Sequence, residues 1–364
     1  MRPQLTVRQV CFFIIAFLPV TKLFMVSSVI ASFAKQDMWI SVLINSLIDV
    51  ATITAITFAC QKAKTDFFGL LEMNFGKVGK NIILGFYLVF FLMKSILPIN
   101  EQKEYVELTL YITSPSLLTF LPFFACAFFL CMKELRTVGR LADVIWIITL
   151  IGIILLFGLT TTNADVSALL PVGVNGISNI LRGSYSSYAW YGDAAYVLFF
   201  IGNFKWEKRA RLKILLSYGL VAVISVSFSV CFYSIFTSIA FRQRFALTEI
   251  SKYATVINSI GRFDYIAIML ILFSDIISIS LPIFFANAIL QEIAPIKYRW
   301  IYPLTIILVI FLIVTAFSEY FYSIETFILT YGNAYFILLA NVVPLFSALL
   351  VKNKKEKLYA TSTR

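Results

Sequence analysis

Long runs of apolar residues, separated by short polar connectors, dominate the chain. A membrane-spanning helix needs about 20 predominantly apolar residues. By that measure the pattern predicts ten spans, at about residues 9–33, 38–60, 79–99, 116–133, 142–161, 183–203, 212–238, 264–290, 300–317 and 326–351. Because these runs are apolar on every side, helical periodicity adds little inside them, and the connectors show where each span ends.

The composition strengthens this prediction, because 60% of the 364 residues are hydrophobic and 13% are charged. Soluble domains average about 45–50% apolar and about 25% charged residues. The chain contains no histidine, which removes histidine general bases, histidine-activated nucleophiles and histidine-ligated metals. Its five cysteines lie singly in apolar stretches, which favours buried side chains over a metal site or disulfides. We therefore expect no enzyme activity and no cofactor.

The net charge of +11 has two interpretations. In a soluble protein it would suggest nucleic acid as a partner, whereas in a membrane protein it reflects the excess of lysine and arginine in cytoplasmic segments. With both termini on the cytoplasmic side, 21 of the 30 basic residues fall in cytoplasmic segments and 7 in outside segments. We therefore expect cytoplasmic termini, a surrounding lipid bilayer and no nucleic-acid partner. The longest outside loop, 240–263, has room for a short surface helix.

The spacing of the spans predicts one membrane domain over residues 1–364. It divides into one repeat at about 9–161, a second at about 183–351 and a cytoplasmic tail at 352–364. The basic N-terminus followed by an apolar run is also typical of a signal peptide, but Lys22 interrupts that run, and we interpret it as the first span. The sequence lacks a G-x-x-x-x-G-K-[ST] motif, so it has no P-loop for ATP.

Five charged residues fall inside the predicted spans: Lys22, Asp49, Lys94, Asp193 and Asp275. A charge there costs at least about 2.5–3.5 kcal/mol on insertion scales, so each needs a functional or structural reason. Lys94 is near the outer end of its span, and we expect its side chain to reach the outer surface. Lys22 is too central for that, which favours a position along a ligand pathway.

Two spans contain segments that disfavour a continuous helix. In the first span, Pro19 removes a backbone donor and clashes with the preceding turn, so residues 18–22 are predicted to break the helix. In the sixth, residues 183–193 are bounded by glycines and rich in hydroxyl groups, which predicts unwound backbone that faces a small polar ligand. An outside loop that leads into a shorter helix is the alternative for this second segment.

The two breaks occupy corresponding positions if the chain consists of two repeats of five spans. Interrupted helices at matching positions are the best sequence indication of a transporter's binding site. Their half-helix N-termini favour anions such as a substrate carboxylate. The predicted substrate-binding residues are Pro19, Val20, Thr21, Lys22, Ser187, Tyr188, Tyr191, Gly192 and Asp193.

Short blocks of sequence occur in a distinctive order between about residues 5 and 290. They are AKQDMWISVL at 34–43, Thr113-Ser114-Pro115, GRLAD at 139–143, LLPV at 169–172, Gly176-Ile177 and Leu181-Arg182-Gly183. Together they resemble the endospore germination permeases, the B subunits of spore germinant receptors. That family often has Gly-Glu in helix six, where this chain has Gly192-Asp193, and a lysine at position 22 departs from its pattern.

The resemblance implies the fold of the amino acid–polyamine–organocation transporter superfamily. That fold is all-α and integral to the membrane, with about ten transmembrane helices in a LeuT-type five-plus-five inverted repeat and breaks in helices 1 and 6. The resemblance also implies a receptor subunit that senses a small germinant, typically an amino acid, in the inner membrane of the dormant spore. Its implied partners are the receptor's A and C subunits.

In LeuT-type folds the break in helix one faces helix eight, and sodium-coupled members bind a sodium ion at that junction. This chain has Lys22 on one side and Asp275 on the other, with Ser278 on the same helical face as Asp275. We predict that Lys22 takes the place of that cation and pairs with Asp275 or Asp193. Such a pair either responds to protonation or is a permanent structural ion pair.

Two functions remain open at this point. The first is a signalling subunit, in which ligand binding shifts the equilibrium between two conformations and partner subunits respond to the shift. The second is a proton-coupled amino acid permease, because a transporter scaffold does not by itself decide function. Uptake of labelled amino acid into proteoliposomes by this chain alone would favour the permease.

Overall fold

Helices make up most of the described chain. The structure is a computed structural model, and it describes residues 5–109, 116–160, 164–252, 264–317 and 320–351. The first six helices are α1 (Val7–Phe17), α2 (Val26–Ala34), α3 (Met38–Ala63), α4 (Phe67–Thr109), α5 (Ser116–Met132) and α6 (Leu135–Thr160). They are followed by α7 (Gly176–Ser186), α8 (Ala194–Phe200), α9 (Ala210–Phe236), α10 (Ala246–Lys252), α11 (Asp264–Ile293), α12 (Ile301–Ala316), α13 (Phe321–Phe327) and α14 (Asn333–Ile337).

The first predicted span consists of α1 and α2, separated by a short turn. α1 begins at a capping box, in which the Thr6 hydroxyl accepts from the Gln9 N–H and the Gln9 side chain accepts from the Thr6 N–H. It ends just before Pro19, and a single 3₁₀ turn follows at Val20–Lys22 before α2 resumes the span. The break predicted from the proline is confirmed.

The sixth predicted span consists of α7 and α8, and its break is shorter than predicted. It covers residues 187–193, with a 3₁₀ turn at Tyr188–Trp190. Gly192 follows at φ +74°, in the left-handed region that favours glycine. A Cβ at this position would lie 2.9 Å from the Cβ of Ala340, so the close approach also requires glycine.

Residues 183–186, which we predicted to be unwound, are the last turn of α7. They remain helical because α3 satisfies the polar groups on this face. Ser41 donates to the Ile180 carbonyl at 2.8 Å, and Asn45 exchanges hydrogen bonds with Ser184. The hydroxyl groups that suggested an unwound segment therefore serve helix packing.

The tenth predicted span is a helix with two wide turns. α13 and α14 are joined by a π-helical turn at Ile328–Gly332, and a second π-helical turn follows at Leu338–Val342. π turns frequently occur at functional sites. Here they bring Asn333 and Asn341 against the break of the sixth span, as described below.

The described part of the predicted outside loop, residues 240–252, contains α10, which is not a surface helix. α10 buries Leu247 and Ile250, each at most 1% exposed. It packs against α9 and α11. The expectation of a surface helix is therefore wrong, because its apolar residues supply one side of the protein core.

Five stretches of the described chain are long and apolar enough to cross a bilayer. They are Val26–Ala63, Phe67–Tyr105, Leu135–Gly158, Ala210–Arg242 and Glu325–Val351. Shorter apolar helices accompany them, and the broken helices α1–α2 and α7–α8 lie among them in the bundle. α1 packs against α6 and α9, α2 packs against α7, and α11 packs against α4, α5 and α6.

The orientation predicted from the basic residues can be tested at exposed positions. Ser238 lies in an exposed segment after α9, on the predicted outer side, and Lys208 lies in an exposed segment before α9, on the predicted cytoplasmic side. We expect Ser238→Cys to react with an impermeant thiol reagent in intact cells and Lys208→Cys to react only after permeabilisation. The reverse pattern would place the termini outside.

Candidate functional site

The two breaks meet in the interior of the bundle. Lys22, from the first break, lies 2.8 Å from each carboxylate oxygen of Asp193, from the sixth. The side chains are 2% and 1% exposed. The ammonium also donates to the Thr21 hydroxyl at 3.0 Å and lies 5.2 Å from the centre of the Tyr191 ring. Of the two carboxylates proposed as its partner, the structure brings Asp193 to Lys22.

Asp49 joins this ion pair from the middle of α3. Its carboxyl group accepts from the backbone N–H of Asp193 at 3.0 Å and from that of Ala194 at 3.5 Å. The hydroxyl of Tyr218, on α9, lies 3.0 Å from Asp49 and 3.1 Å from Asp193. The sequence marks Asp49 as an intramembrane charge but gives Tyr218 no signal, since a tyrosine in an apolar span is unremarkable.

Lys94 contradicts its prediction, because its side chain does not reach the outer surface. The residue is 5% exposed and donates to the Tyr191 carbonyl within the sixth-span break. Its ammonium also lies 5.5–5.9 Å from the centres of the Phe90, Tyr196 and Phe336 rings. The carbonyl and the three ring faces replace the water that snorkelling would have supplied.

The tyrosines and serine predicted to face a ligand contact the protein itself. Asn341 donates to the Tyr188 hydroxyl, and Ser187 accepts from Asn45 at 3.0 Å. Asn333 accepts from the Ala189 N–H at 2.7 Å and donates to the Ser186 carbonyl at 3.1 Å. Asn333 on the tenth span therefore satisfies backbone groups at the break, and Asn341 holds the Tyr188 side chain. Sequence reasoning missed both asparagines.

Little space remains among these charges. A cavity of about 20 Å³ lies between Thr21, Lys94 and Asp193, with Trp190 and Tyr196 on its walls. That volume is smaller than an amino acid. In this arrangement the predicted binding residues pack against one another and leave only this small space between them. Pro19 and Val20 lie on the same turn, and Val20 is fully buried.

A much larger cavity, of about 650 Å³, reaches both breaks from the side of α2 and α7. We call it the vestibule. Met25 and Ser28 at the start of α2 and Ser186 at the end of α7 form its inner end. The remaining lining residues are Val29, Ser32, Phe33, Tyr185, Phe241, Arg242, Arg244, Glu325, Thr326, Leu329 and Thr330.

Arg244, in the wall of the vestibule, forms ion pairs with two glutamates. Arg244 lies 3.0 Å from Glu325 on α13 and 2.8 Å from Glu104 on α4. The Glu325 side chain is 8% exposed, whereas that of Arg244 is 34% exposed. This ion-pair network joins three segments of the chain that surround one opening, so it can hold the vestibule in its present shape.

The predicted contact between the first break and helix eight is present at the level of the backbone. α11 packs against Val20–Lys22. Ser278 on α11 is 1% exposed. The side chain of Asp275 lies outside the described residues, so its predicted pairing with Lys22 stays a prediction. Within the described chain, no group of three or more cysteine and acidic side chains is arranged to hold a metal ion.

Solved structures with a similar fold include manganese transporters from Eremococcus coleocola. A histidine-to-alanine variant aligns with a TM-score of 0.58 at 13% identity, covering 94% of this chain and 75% of the other. A glutamate-to-alanine variant gives 0.58 at 12% identity, with 94% and 75% covered. A complex with an aromatic bis-isothiourea substituted compound gives 0.51 at 12% identity, with 94% and 76% covered. At such low identities the likeness establishes the fold alone.

The chain is therefore a multi-pass, all-helical membrane protein with a transporter fold, broken in its first and sixth spans as predicted. Residues 4–322 match the family described as spore germination proteins. That match covers most of the chain, and the chain belongs to this family. The resemblance seen in the short sequence blocks is confirmed. A comparison with curated protein sequences finds no match.

Proposed function

We propose that this protein is the B-type subunit of a spore germinant receptor and binds a small zwitterionic germinant, preferably an amino acid. Binding occurs where the two broken helices meet and changes the arrangement of those helices. The observation that carries the proposal is the buried Lys22–Asp193 pair, at 2.8 Å, which links the two breaks directly. The ammonium and carboxylate of a zwitterionic ligand can replace the two partners of this pair: the ligand's carboxylate then contacts Lys22, and its ammonium contacts Asp193.

The vestibule supplies the route to this site. Its inner end lies at the start of α2, where the positive end of the helix dipole favours a carboxylate. Its walls carry both apolar and charged side chains, including Val29, Leu329 and Glu325. An amino acid with a small or apolar side chain fits both the volume and this mixture of surfaces.

An organic ligand accounts for the site better than a transition metal does. The solved structures with the same fold are described as manganese transporters. Hard divalent cations such as manganese prefer several carboxylate and carbonyl oxygens around one point. Here the two described carboxylates at the junction already contact a lysine, a hydroxyl and backbone N–H groups. The proposal includes no chemical reaction and no cofactor.

As a receptor subunit, the protein acts in the spore inner membrane with A and C subunits as partners. Ligand binding shifts the equilibrium between two arrangements of the breaks by the difference in affinity for the two. The second candidate function, a proton-coupled amino acid permease, is favoured by the transporter fold itself. Uptake by the chain alone in proteoliposomes separates the two functions.

Filling the vestibule tests the binding site. Val29 lines the cavity beside the break, and a tryptophan there would occupy the path to Ser28 and Ser186. We expect one or more common L-amino acids to stabilise the purified wild-type protein against heat, by about 2.7 kcal/mol at a hundredfold excess over Kd. Val29→Trp should abolish that stabilisation and leave the melting temperature of the ligand-free protein nearly unchanged.

The matched control is Leu47→Trp, because Leu47 is 57% exposed on the outside of the bundle. This variant should respond to the ligand like the wild type. If Val29→Trp keeps the full response, the ligand does not enter through the vestibule. If no amino acid stabilises the wild type, the proposed class of ligand is wrong.

A further inference from the structure

The Tyr218 hydroxyl lies between two buried carboxyl groups. Its oxygen lies 3.0 Å from Oδ2 of Asp49 and 3.1 Å from Oδ2 of Asp193. A phenol has one proton, which it donates fully to one of these groups or shares weakly between both. Both contacts are full hydrogen bonds when one carboxyl group carries a proton and donates to the tyrosine. Two ionised carboxylates around one hydroxyl would instead repel each other.

The surroundings of the two carboxyl groups differ. Both oxygens of Asp193 lie 2.8 Å from the Lys22 ammonium, so this group forms a buried ion pair. Asp49 is fully buried, and no ion pair joins it to a lysine or arginine among the described side chains. Its partners are two backbone N–H groups and the hydroxyl groups of Tyr218 and Tyr188. Among these described residues Asp49 therefore lacks an ion pair of its own, although the Lys22 charge acts on it from across Asp193, and burial without a direct ion pair favours the neutral acid.

We infer that Asp49 is a proton-binding site, connected through the Tyr218 hydroxyl to the ionised Asp193. The Asp49 Oδ2–H donates to the tyrosine oxygen, and the tyrosine O–H donates to Oδ2 of Asp193. The described distances satisfy every donor and acceptor in this chain of bonds without adding another group. The proton site itself does not depend on the proposed function. Only the coupling of this proton to ligand binding rests on the proposed function.

The small cavity has room for a water molecule that can accept the proton. Its volume of about 20 Å³ suffices for one water molecule, which needs two or more polar partners. Thr21, Lys94 and Asp193 line it and supply those partners. When the Asp49 O–H bond breaks, its proton moves to the tyrosine oxygen while the tyrosine proton moves to Asp193. Asp193 then passes a proton to water as hydronium, and Asp49 remains as a carboxylate.

Other charged and titratable groups face these three residues from the surrounding elements. Lys22 comes from the first break, Lys94 from α4, and Tyr188 and Tyr191 from the sixth break. Tyr196 comes from α8, and α11 carries Asp275, whose side chain lies outside the described residues. Lys94 is the alternative holder of the exchangeable proton, because its ammonium has a carbonyl and ring faces as its described partners.

Loss of the proton changes the junction that the proposed ligand uses. Asp49 lies on α3, Tyr218 on α9 and Asp193 at the break before α8. Deprotonation leaves two buried carboxylates with one lysine in direct contact. Their repulsion favours separation of α3 from the sixth-span break. On the proposed function, the ion coupled to ligand binding is then a proton taken up at Asp49.

Infrared difference spectroscopy detects the proton directly, because a protonated carboxyl group has a carbonyl stretch that a carboxylate lacks. The experiment uses the full chain in lipid nanodiscs without ligand, titrated from acidic to alkaline pH. We expect the wild type to show such a band, to shift it in D₂O and to lose it as pH rises. Asp49→Asn should remove the band while folding normally, because an asparagine amide mimics a neutral carboxyl group.

Four further variants complete the test. Asp143→Asn, on the surface beside Arg8, should leave the band unchanged, and Tyr218→Phe should shift its frequency by removing the shared hydroxyl. If Asp49→Asn is poorly folded, Asp49→Glu replaces it and should keep a shifted band. A band that survives in Asp49→Asn overturns the inference, as does a pH-dependent change that disappears in Lys94→Met instead. Failure of amino acids to bind, with the Asp49 band present, contradicts the proposed ligand but not the proton site.

Discussion

Lys22→Met is expected to destabilise the protein by about 3–5 kcal/mol, because removing one partner of a buried ion pair leaves the other charge stranded. The Asp193 carboxylate is 1% exposed and loses a contact of 2.8 Å from each of its oxygens. Asp193→Asn should have a similar effect by stranding the ammonium. Unfolding by a rising fraction of SDS in mixed micelles measures both losses.

The double variant Lys22→Met/Asp193→Asn should be more stable than the sum of the single losses predicts, because neither charge remains. Lys213→Met is the matched control. Lys213 and Glu207 form an ion pair too, at 3.1 Å, but their side chains are about half exposed. Such surface pairs contribute about 0–1 kcal/mol. Additive losses in the double variant would mean that the two side chains do not interact. A sodium-dependent ligand response in the wild type would contradict the replacement of the ion by Lys22.

Asn333→Leu should also cause a large decrease in the free energy of unfolding, because it leaves two backbone groups at the sixth-span break without partners. The Ala189 N–H and the Ser186 carbonyl both bond to this side chain, which is fully buried on the tenth span. Each buried group left unsatisfied costs about 1–3 kcal/mol. Leucine has the same branching and number of side-chain heavy atoms as asparagine but bulkier methyl groups, so a control with the same Asn→Leu change is needed to separate lost hydrogen bonds from packing. The same SDS unfolding experiment gives the free energy.

Asn179→Leu is the control for this prediction. Asn179 is half-buried in the first part of α7 and makes one bond, to the Asn175 carbonyl of its own helix, at 2.8 Å. Asn179→Leu should lower the free energy of unfolding by no more than about 1 kcal/mol, as expected for an ordinary single hydrogen bond. Equal losses in the two variants would show that the tenth span does not hold the break. If Asn333→Leu has the same free energy of unfolding as the wild type, water replaces the asparagine as the partner of the Ala189 N–H and the Ser186 carbonyl.

The membrane class and both breaks follow from local features of the sequence. Long apolar runs can be stable only in lipid, where a helix satisfies its own backbone. Pro19 ends a helix whatever surrounds it, because it lacks an N–H and its ring clashes with the preceding turn. Gly192 likewise indicates a backbone conformation that other residues avoid. These effects act within a few residues, so the sequence alone predicts them.

Lys94 and residues 183–186 show where local reasoning fails. A lysine near a span end usually reaches the surface, but here a carbonyl from the sixth span and three rings surround it. Four residues rich in hydroxyls suggested an unwound segment, but Ser41 and Asn45 on α3 stabilise them as a helix. In both cases the deciding partner is more than 90 positions away in the chain, and no local pattern encodes it.

The sequence by itself determined that the chain lies in a membrane, that its first and sixth spans are interrupted, and that five charges need a reason to be there. Only the tertiary structure decided that Lys22 meets Asp193, that Asp49 and Tyr218 complete the cluster, and that asparagines of the tenth span hold the break. Hydrophobicity and proline act on the chain locally, whereas the choice of partner for a buried charge depends on which helices pack together. That packing is a property of the whole bundle, because a buried charge or unpaired backbone group is stable only when every neighbouring element supplies its part.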